Sequence, residues 1–230
     1  MSELAWTSSP VFGVTVTLLA YIGALQVNKK WPRMNAMFVC CLSIIMLLLV
    51  TGIPYESYKV GGDVLVFLLG PATVALGVPL YKHSGVLLKR LKGVLAGIVA
   101  GSLTGMGCSA LFVWLSGANQ ELLMTILPKS VTSPISMEVA RLFGGIPELA
   151  AVLTVLTGLF GSMFGPLFLR LIRVSDAIAV GTAMGTAAHG IGTSRIIRES
   201  ELKGSAGGFA MGAAGLITTF ASIPLYWLLN

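Results

Sequence analysis

The sequence predicts an all-α integral membrane protein with about seven transmembrane helices and one further re-entrant or broken-helix hairpin. Three observations carry this prediction. The 230 residues are 55% hydrophobic and only 10% charged, with mean hydropathy +0.89, whereas a soluble domain carries roughly 25% charged residues. Charge-free runs recur at Leu4–Asn28, Met34–Tyr55, Val64–Tyr81, Gly93–Gln120, Leu149–Leu169, Ala177–Ser194 and Gly204–Asn230, each reaching or approaching the ~20 residues that cross a bilayer. The net charge of +6 collects in short connections between those runs, a topology signal rather than a nucleic-acid footprint. No linker or low-complexity tail appears, so the chain reads as one polytopic membrane domain with halves at 1–117 and 118–230.

Each element follows in order. The first span covers Pro10–Val27 and is followed by Lys29, Lys30 and Arg33. The second, Asn35–Ile53, ends at Pro54 before a mixed loop holding Glu56, Lys59 and Asp63. The third, Val64–Tyr81, contains Gly70, Pro71, Gly77 and Pro79, and two prolines in one span remove backbone donors and invite a break. Leu87, Leu88 and Leu91 recur at helical spacing within the basic stretch Lys82–Lys92, as in an interfacial helix. The fourth span, Gly93–Ser116, carries Gly97, Gly101 and Gly105, small residues that let helices pack closely.

Glu121–Pro147 is irregular. Leu122–Leu127 is too short to span and Pro128 stops it. Ser133 reads as an N-cap with Pro134 at the first helical position, starting a short helix over Ile135–Phe143 that ends at Gly144-Gly145. Leu149–Leu169 spans again, a second interrupted span follows, and Gly204–Leu229 closes the chain. Cations at Lys29–Arg33, Lys82–Lys92 and Arg170–Arg173 mark the cytoplasmic side, which puts the N-terminus outside and the end of the last span inside. Glu3 and the absence of a basic n-region argue against a cleaved signal peptide. Cys40, Cys41 and Cys108 lie in spans and read as packing residues.

Overlaying 70–116 on 181–227 without gaps matches Gly70 with Gly181, Ala72 with Ala183, Gly97 with Gly208, Gly101 with Gly212, and Leu91-Lys92-Gly93 with Leu202-Lys203-Gly204. It pairs the two interrupted spans, which run in opposite directions under this topology. An inverted repeat with interrupted helices is the pattern that marks a transporter's central site.

Two stretches carry chemistry. In PKSVTSPISMEVA (Pro128–Ala140), a helix start offers free N–H groups and partial positive charge. Lys129, Ser130, Thr132, Ser133 and Ser136 surround it, a set that suits a small carboxylate. The competing reading is a capped interfacial helix with Lys129 reaching head groups. Glu138 and Arg141 are most simply an intrahelical pair, with proton coupling by Glu138 the alternative. In GTAMGTAAHGIGTSR (Gly181–Arg195), His189 is the only ionisable side chain before Arg195. It reads equally as a buried structural histidine or as a proton or substrate contact. Gly190 and Gly192 would let backbone approach a ligand. Thr186, Thr193 and Ser194 either bond carbonyls of their own helix or line the path. Arg195 could grip a carboxylate bidentately or sit exposed in a loop. No catalytic, metal or cofactor motif appears, so no enzyme, cofactor or metal site is expected.

These two stretches, with GGIPELAAVLTVLTGLFG (Gly144–Gly161), Gly165-Pro166 and GFAMGAAGLIT (Gly208–Thr218), resemble the LrgB/CidB family of bacterial membrane proteins over nearly the whole chain. The resemblance implies an inner-membrane location and two functions. One is a holin-like or antiholin-like regulator of murein hydrolase export and cell lysis, paired with a small LrgA/CidA-type partner. The other is carriage of small monocarboxylates such as pyruvate, glycolate or lactate, as in related plastid glycolate/glycerate translocators. The hydroxyl cluster and interrupted spans favour transport, with Lys129, Ser130, Thr132, Ser133, Ser136, His189, Gly190, Gly192, Thr193 and Arg195 as substrate contacts. The expected partners are the bilayer, the organic anion, the LrgA/CidA-type protein and further copies of the chain.

Overall fold

The computed structural model describes residues 6–31, 34–68, 71, 74–75 and 77–229. Glu3, Arg33, Gly70 and Ala72, used in the readings above, lie outside the described residues. Among the described residues, regular structure is entirely helical, and the chain forms two compact units, Met1–Ala75 and Leu76–Asn230.

In the first unit, α1 (Pro10–Lys30) starts on Ser9, whose side chain accepts from Val11 N, and packs on both α2 (Ala36–Thr51) and α3 (Tyr55–Phe67). Gly13 and Gly61 set the α1–α3 crossing: a methyl group at Gly13 would lie 2.9 Å from Gly61 Cα. Thr17 Oγ1 and Tyr58 Oη hydrogen-bond beside it at 2.8 Å. The mixed loop expected after Pro54 is therefore helix. Ser57 and Gly61, one turn apart, bury one face of α3 while Glu56, Lys59 and Asp63 ride on it. Within the expected third span, Val64–Tyr81, α3 ends at Phe67 and Gly77–Lys82 is described as a separate helix, with 71, 74 and 75 also helical.

The second unit contains α4 (Gly77–Lys82), α5 (Ser84–Lys89), α6 (Leu91–Leu115), α7 (Gln120–Ile126), α8 (Ser133–Leu142), α9 (Pro147–Leu171), α10 (Ala177–Ile197) and α11 (Glu201–Leu229). Four described helices, α1, α6, α9 and α11, are long and apolar enough to cross a membrane, and α2 is a shorter apolar helix. Among the described residues, four of the expected seven or so spans are thus present as helices of crossing length.

Of the remaining expected spans, α10 turns back on itself. Ala188 (φ −129°, ψ 16°) and His189 (φ 39°, ψ −137°) leave helical geometry. A methyl at Gly192 would lie 2.9 Å from Met184 O, atoms that a straight helix would hold about 12 Å apart. Gly181 meets Lys203 and Ala206 on α11, Gly190 meets Met211, and Gly204 meets Ile197. The chain thus descends along α11 from residue 177, reverses at 188–189 and climbs back. Both ends of α10 lie at one end of the unit. There Arg90 Nη1 meets Asp176 Oδ2 at 2.7 Å and Lys82 Nζ meets Glu201 Oε2 at 2.7 Å.

Two consequences correct the expected topology. The last helix starts where α6 starts, so it ends at the opposite end rather than on the basic side, with Tyr226 against Phe143. In the part of the overlay that pairs 91–116 with 202–227, the two helices run in the same direction, which gives the inverted repeat no support there.

The irregular stretch folds as the expected hairpin. α7 and α8 flank a turn at 127–132, and the chain returns so that Gly145 packs on Met124 and Thr125, while Ile146 N donates to Thr125 Oγ1 at 2.9 Å. The unit therefore repeats one plan: α6 then the α7–α8 hairpin, and antiparallel α9 then the α10 hairpin. Cores at the two ends hold it, Ile98, Ile178, Ala206 and Ala210 at one, Met106, Val113, Leu123 and Met124 at the other.

Candidate functional site

The two hairpin turns approach each other between α6 and α9. On α6, Gly101 faces Thr186 of the α10 hairpin (Cγ2 3.1 Å from a Cβ placed there) and Gly105 faces Ser130 of the other hairpin (Oγ 3.7 Å). On α9, Ser136 Oγ donates to Ala150 O at 3.4 Å, while Thr154 O accepts from His189 Nε2 at 3.0 Å. Four residues separate each pair, about 6 Å of helix rise. Stretches some fifty residues apart in sequence thus meet within one helical turn on both supporting helices.

His189 sits at the α10 turn, 4% exposed. Because a carbonyl only accepts, its Nε2 carries the proton and Nδ1 is an acceptor in the neutral ring. Room for the ring comes from Gly158, where a Cβ would be 2.5 Å from Nε2. Gly161 and Gly165 likewise receive Ala188 and Met184, which explains the glycine spacing along α9. Thr193 Oγ1 bonds His189 O at 2.8 Å, bracing the reversal. Gly192 lets the returning arm close on Met184, and Gly190 lies against Met211 Sδ.

Helical Ser and Thr hydroxyls in this protein repeatedly bond the carbonyl four residues back: Thr17 to Gly13, Ser43 to Val39, Ser109 to Gly105, Thr157 to Leu153, Thr219 to Gly215 and Ser222 to Thr218. Four fully enclosed hydroxyls make no such bond and no other. Ser102, Thr154, Thr182 and Thr186 are each at most 7% exposed, and their oxygens have no protein partner. They lie on α6, α9 and the first arm of α10, from the level of Gly97, beside Thr182, to the His189 turn. An unpaired buried hydroxyl costs about 1–3 kcal/mol, so four together mark a place built for water or a polar solute. Ser102, Thr154 and Thr182 were not picked out from sequence, where they look like ordinary helical hydroxyls.

The other sequence-derived residues are placed as follows. Lys129 Nζ donates to Gly105 O at 3.2 Å and Ser109 Oγ at 2.7 Å, tying its turn to α6 and leaving one N–H uncommitted. The expected N-cap is displaced by one residue: Thr132 is the extended residue before α8, without a side-chain cap bond, and Ser133 is the first helical residue. Pro134 then leaves the first-turn N–H of Ile135 without a proline or hydroxyl cap. Ser136 is fully buried and joins α8 to α9. Glu138 and Arg141 form an exposed ion pair. Arg195 is exposed, pairs with Glu199 at 3.0 Å and points to the basic end rather than to the turn. His83 Nε2 lies 3.6 Å from Glu201 Oε2. At the same end Asp176 caps α10, accepting from Ile178 N and Ala179 N. The Ala179 amide, then Arg90, hold its carboxyl below the ordinary aspartate range.

Long apolar helices around two hairpins, whose turns are held about one helical turn apart on α6 and α9 near unpaired hydroxyls, define a polytopic membrane protein with a polar interior. The LrgB-like family matches residues 17–228, and the chain belongs to that family. Among curated relatives, it is 36% identical to "Uncharacterized protein YwbG" of Bacillus subtilis (strain 168), covering 92% of this chain and 95% of that one. It is 32% identical to "Uncharacterized protein YxaC" of the same organism, covering 94% and 95%. An "Uncharacterized protein" of Haemophilus influenzae is 34% identical, covering 89% of each chain. No solved structure matches.

Proposed function

We propose that this protein carries small monocarboxylates, of the pyruvate, glycolate and lactate type, across the bacterial inner membrane. The observation that carries the reading is the group of four buried hydroxyls without partners between a cleft at the basic end and the His189 turn. A lesion-forming or purely regulatory helix bundle gains nothing from leaving them unpaired, whereas a carrier needs polar groups that a passing solute can satisfy. The start of α8 at Ser133 and that of the second arm of α10 near Gly190 add N–H groups and partial positive charge. Irregular backbone at membrane depth is tolerated where it lines a cavity.

In this reading α1, α2, the interrupted 55–82 segment, α6, α9 and α11 cross, while the two hairpins re-enter from opposite sides. The α6–hairpin and α9–hairpin pairs form the inverted repeat, and the N-terminus lies outside. Ser133 and the Ile135 amide would hold the carboxylate, joined by Ser136 when its hydroxyl turns away from Ala150 O, with His189, Thr186 and Ser102 contacting the rest of the solute. No covalent chemistry is involved.

The test is uptake of labelled pyruvate and glycolate by proteoliposomes, with and without an LrgA/CidA-type partner. Saturable uptake that falls about fivefold or more in Thr186→Val and Ser136→Ala is expected, the loss of roughly one hydrogen bond each. Folded protein that shows no flux in either arrangement, yet alters autolysis when expressed, would instead establish the lysis-regulator reading.

A further inference from the structure

At the basic end of the second unit a cleft of about 350 Å³ opens between α6 and the first arm of α10, within the volume range of small-molecule sites. Gly93 and Gly97, one turn apart, leave the α6 wall bare, and no atom stands within 4 Å of a Cβ at Gly93. Thr182 lines the cleft, and its hydroxyl, buried just beneath the lining, has no protein partner. Four residues deeper on the same face of α10 lies Thr186, also unpartnered. A hydrocarbon chain or apolar helix filling the cleft would leave Thr182 Oγ1 unsatisfied, so the lining calls for a polar occupant.

The rim supplies a charge to recruit one. Arg90 Nη1 holds Asp176 Oδ2 at 2.7 Å, with side chains 60% and 49% exposed. Asp176 Oδ1 meanwhile accepts from Ile178 N at 3.1 Å and Ala179 N at 3.0 Å. The protein's own carboxylate therefore occupies a place furnished with a guanidinium and a helix N-terminus, the pair of donors that an incoming carboxylate would use. Lys89 and Lys92 flank Arg90, and no acid occurs in 82–92.

We infer that this cleft is the entry subsite for the small carboxylate: Arg90 takes up the solute in place of Asp176, and Thr182 Oγ1 is its next polar contact on the way to Thr186. The inference rests on the carboxylate-carrier reading and adds to it the side of entry and the residue that sets apparent affinity.

Pyruvate uptake kinetics in proteoliposomes test it with Arg90→Gln, Thr182→Val and Asp176→Asn. Arg90→Gln should raise KM about tenfold with the maximal rate little changed, the size of one charge-assisted hydrogen bond. Thr182→Val should raise KM in the same direction. Asp176→Asn keeps a good N-cap but removes the competing charge, so KM should fall several-fold, a gain that misfolding cannot imitate. Wild-type uptake with KM unchanged in Arg90→Gln and Asp176→Asn would overturn the entry subsite while leaving transport standing. A raised KM in Asp176→Asn would also overturn it, making the pair a structural tie. No uptake by the wild type would overturn the carrier reading itself, before any variant is compared.

Discussion

Thr186 and Thr193 stand seven positions apart in one glycine-rich stretch, and their hydroxyls do opposite things. Thr193 Oγ1 bonds His189 O at 2.8 Å, whereas Thr186 Oγ1 has no protein partner. Thr193→Val should therefore lower stability by about 1 kcal/mol, read as a drop in thermal unfolding temperature in detergent. Thr186→Val removes an unsatisfied group and should leave stability equal or higher while uptake falls. A destabilised Thr186→Val would show that its hydroxyl is structurally paired. His189 separates in the same way. Its backbone at φ 39°, ψ −137° is a conformation glycine adopts freely and alanine does not, with strain of order 1–3 kcal/mol. His189→Gly should unfold at a higher temperature than His189→Ala. His189 was legible in the sequence because it is the only ionisable group between glycines in an apolar run. Ser102, Thr154 and Thr182 were not, because whether a helical hydroxyl finds its own carbonyl depends on the rotamer that neighbouring helices allow.

At the scale of elements, the α10 hairpin rests on a row of glycines along α9. Gly158→Ala would set a methyl 2.5 Å from His189 Nε2 and 2.7 Å from Cε1. The ring must then leave Thr154 O, at a cost of about 1–3 kcal/mol. Gly208, whose Cβ would meet nothing within 4 Å, is the control: Gly208→Ala should be neutral or stabilise by about 0.5–1 kcal/mol. Comparing the two unfolding temperatures separates loss of the cradle from a general glycine effect. Helix locations were largely legible, with α6, α9 and α11 beginning two or three residues before the predicted spans. Helix direction was not. A run of apolar residues between two charged loops looks the same whether it crosses or turns back, and only the contacts of Gly181, Gly192 and Gly204 show that α10 turns back. The charged loop expected at 195–203 shrinks to three residues, because Glu199 pairs with Arg195 and Lys203 at i−4 and i+4 and extends helical structure from both sides.

For the molecule as a whole, the folded-back α10 changes which charges share a side. Arg195, Arg198 and Lys203 join Lys82–Lys92, Arg170 and Arg173 at one end of the second unit, while Glu121, Glu138 and Glu148 lie toward the other, joined there by Arg141. Cation asymmetry of this kind orients membrane proteins, and it is steeper here than in the seven-crossing arrangement, where 195–203 faced outward. The proposed orientation accordingly puts the basic end in the cytoplasm and the end of α11 outside. Impermeant thiol labelling of single cysteines, in a background lacking Cys40, Cys41 and Cys108, checks this directly. Cysteines at Lys89, Ser175 and Ser200 should react only from the cytoplasmic face, and cysteines at Gln120 and Glu148 only from outside. Ser200 labelling with Gln120 would mean that α10 crosses, which would dissolve the hairpin and the convergence of its turn with the Ser130–Ser136 stretch. Ser200 labelling with Lys89 fixes both arms of α10 on one side, which the unpaired hydroxyls require if they are to face a solute-accessible interior rather than lipid.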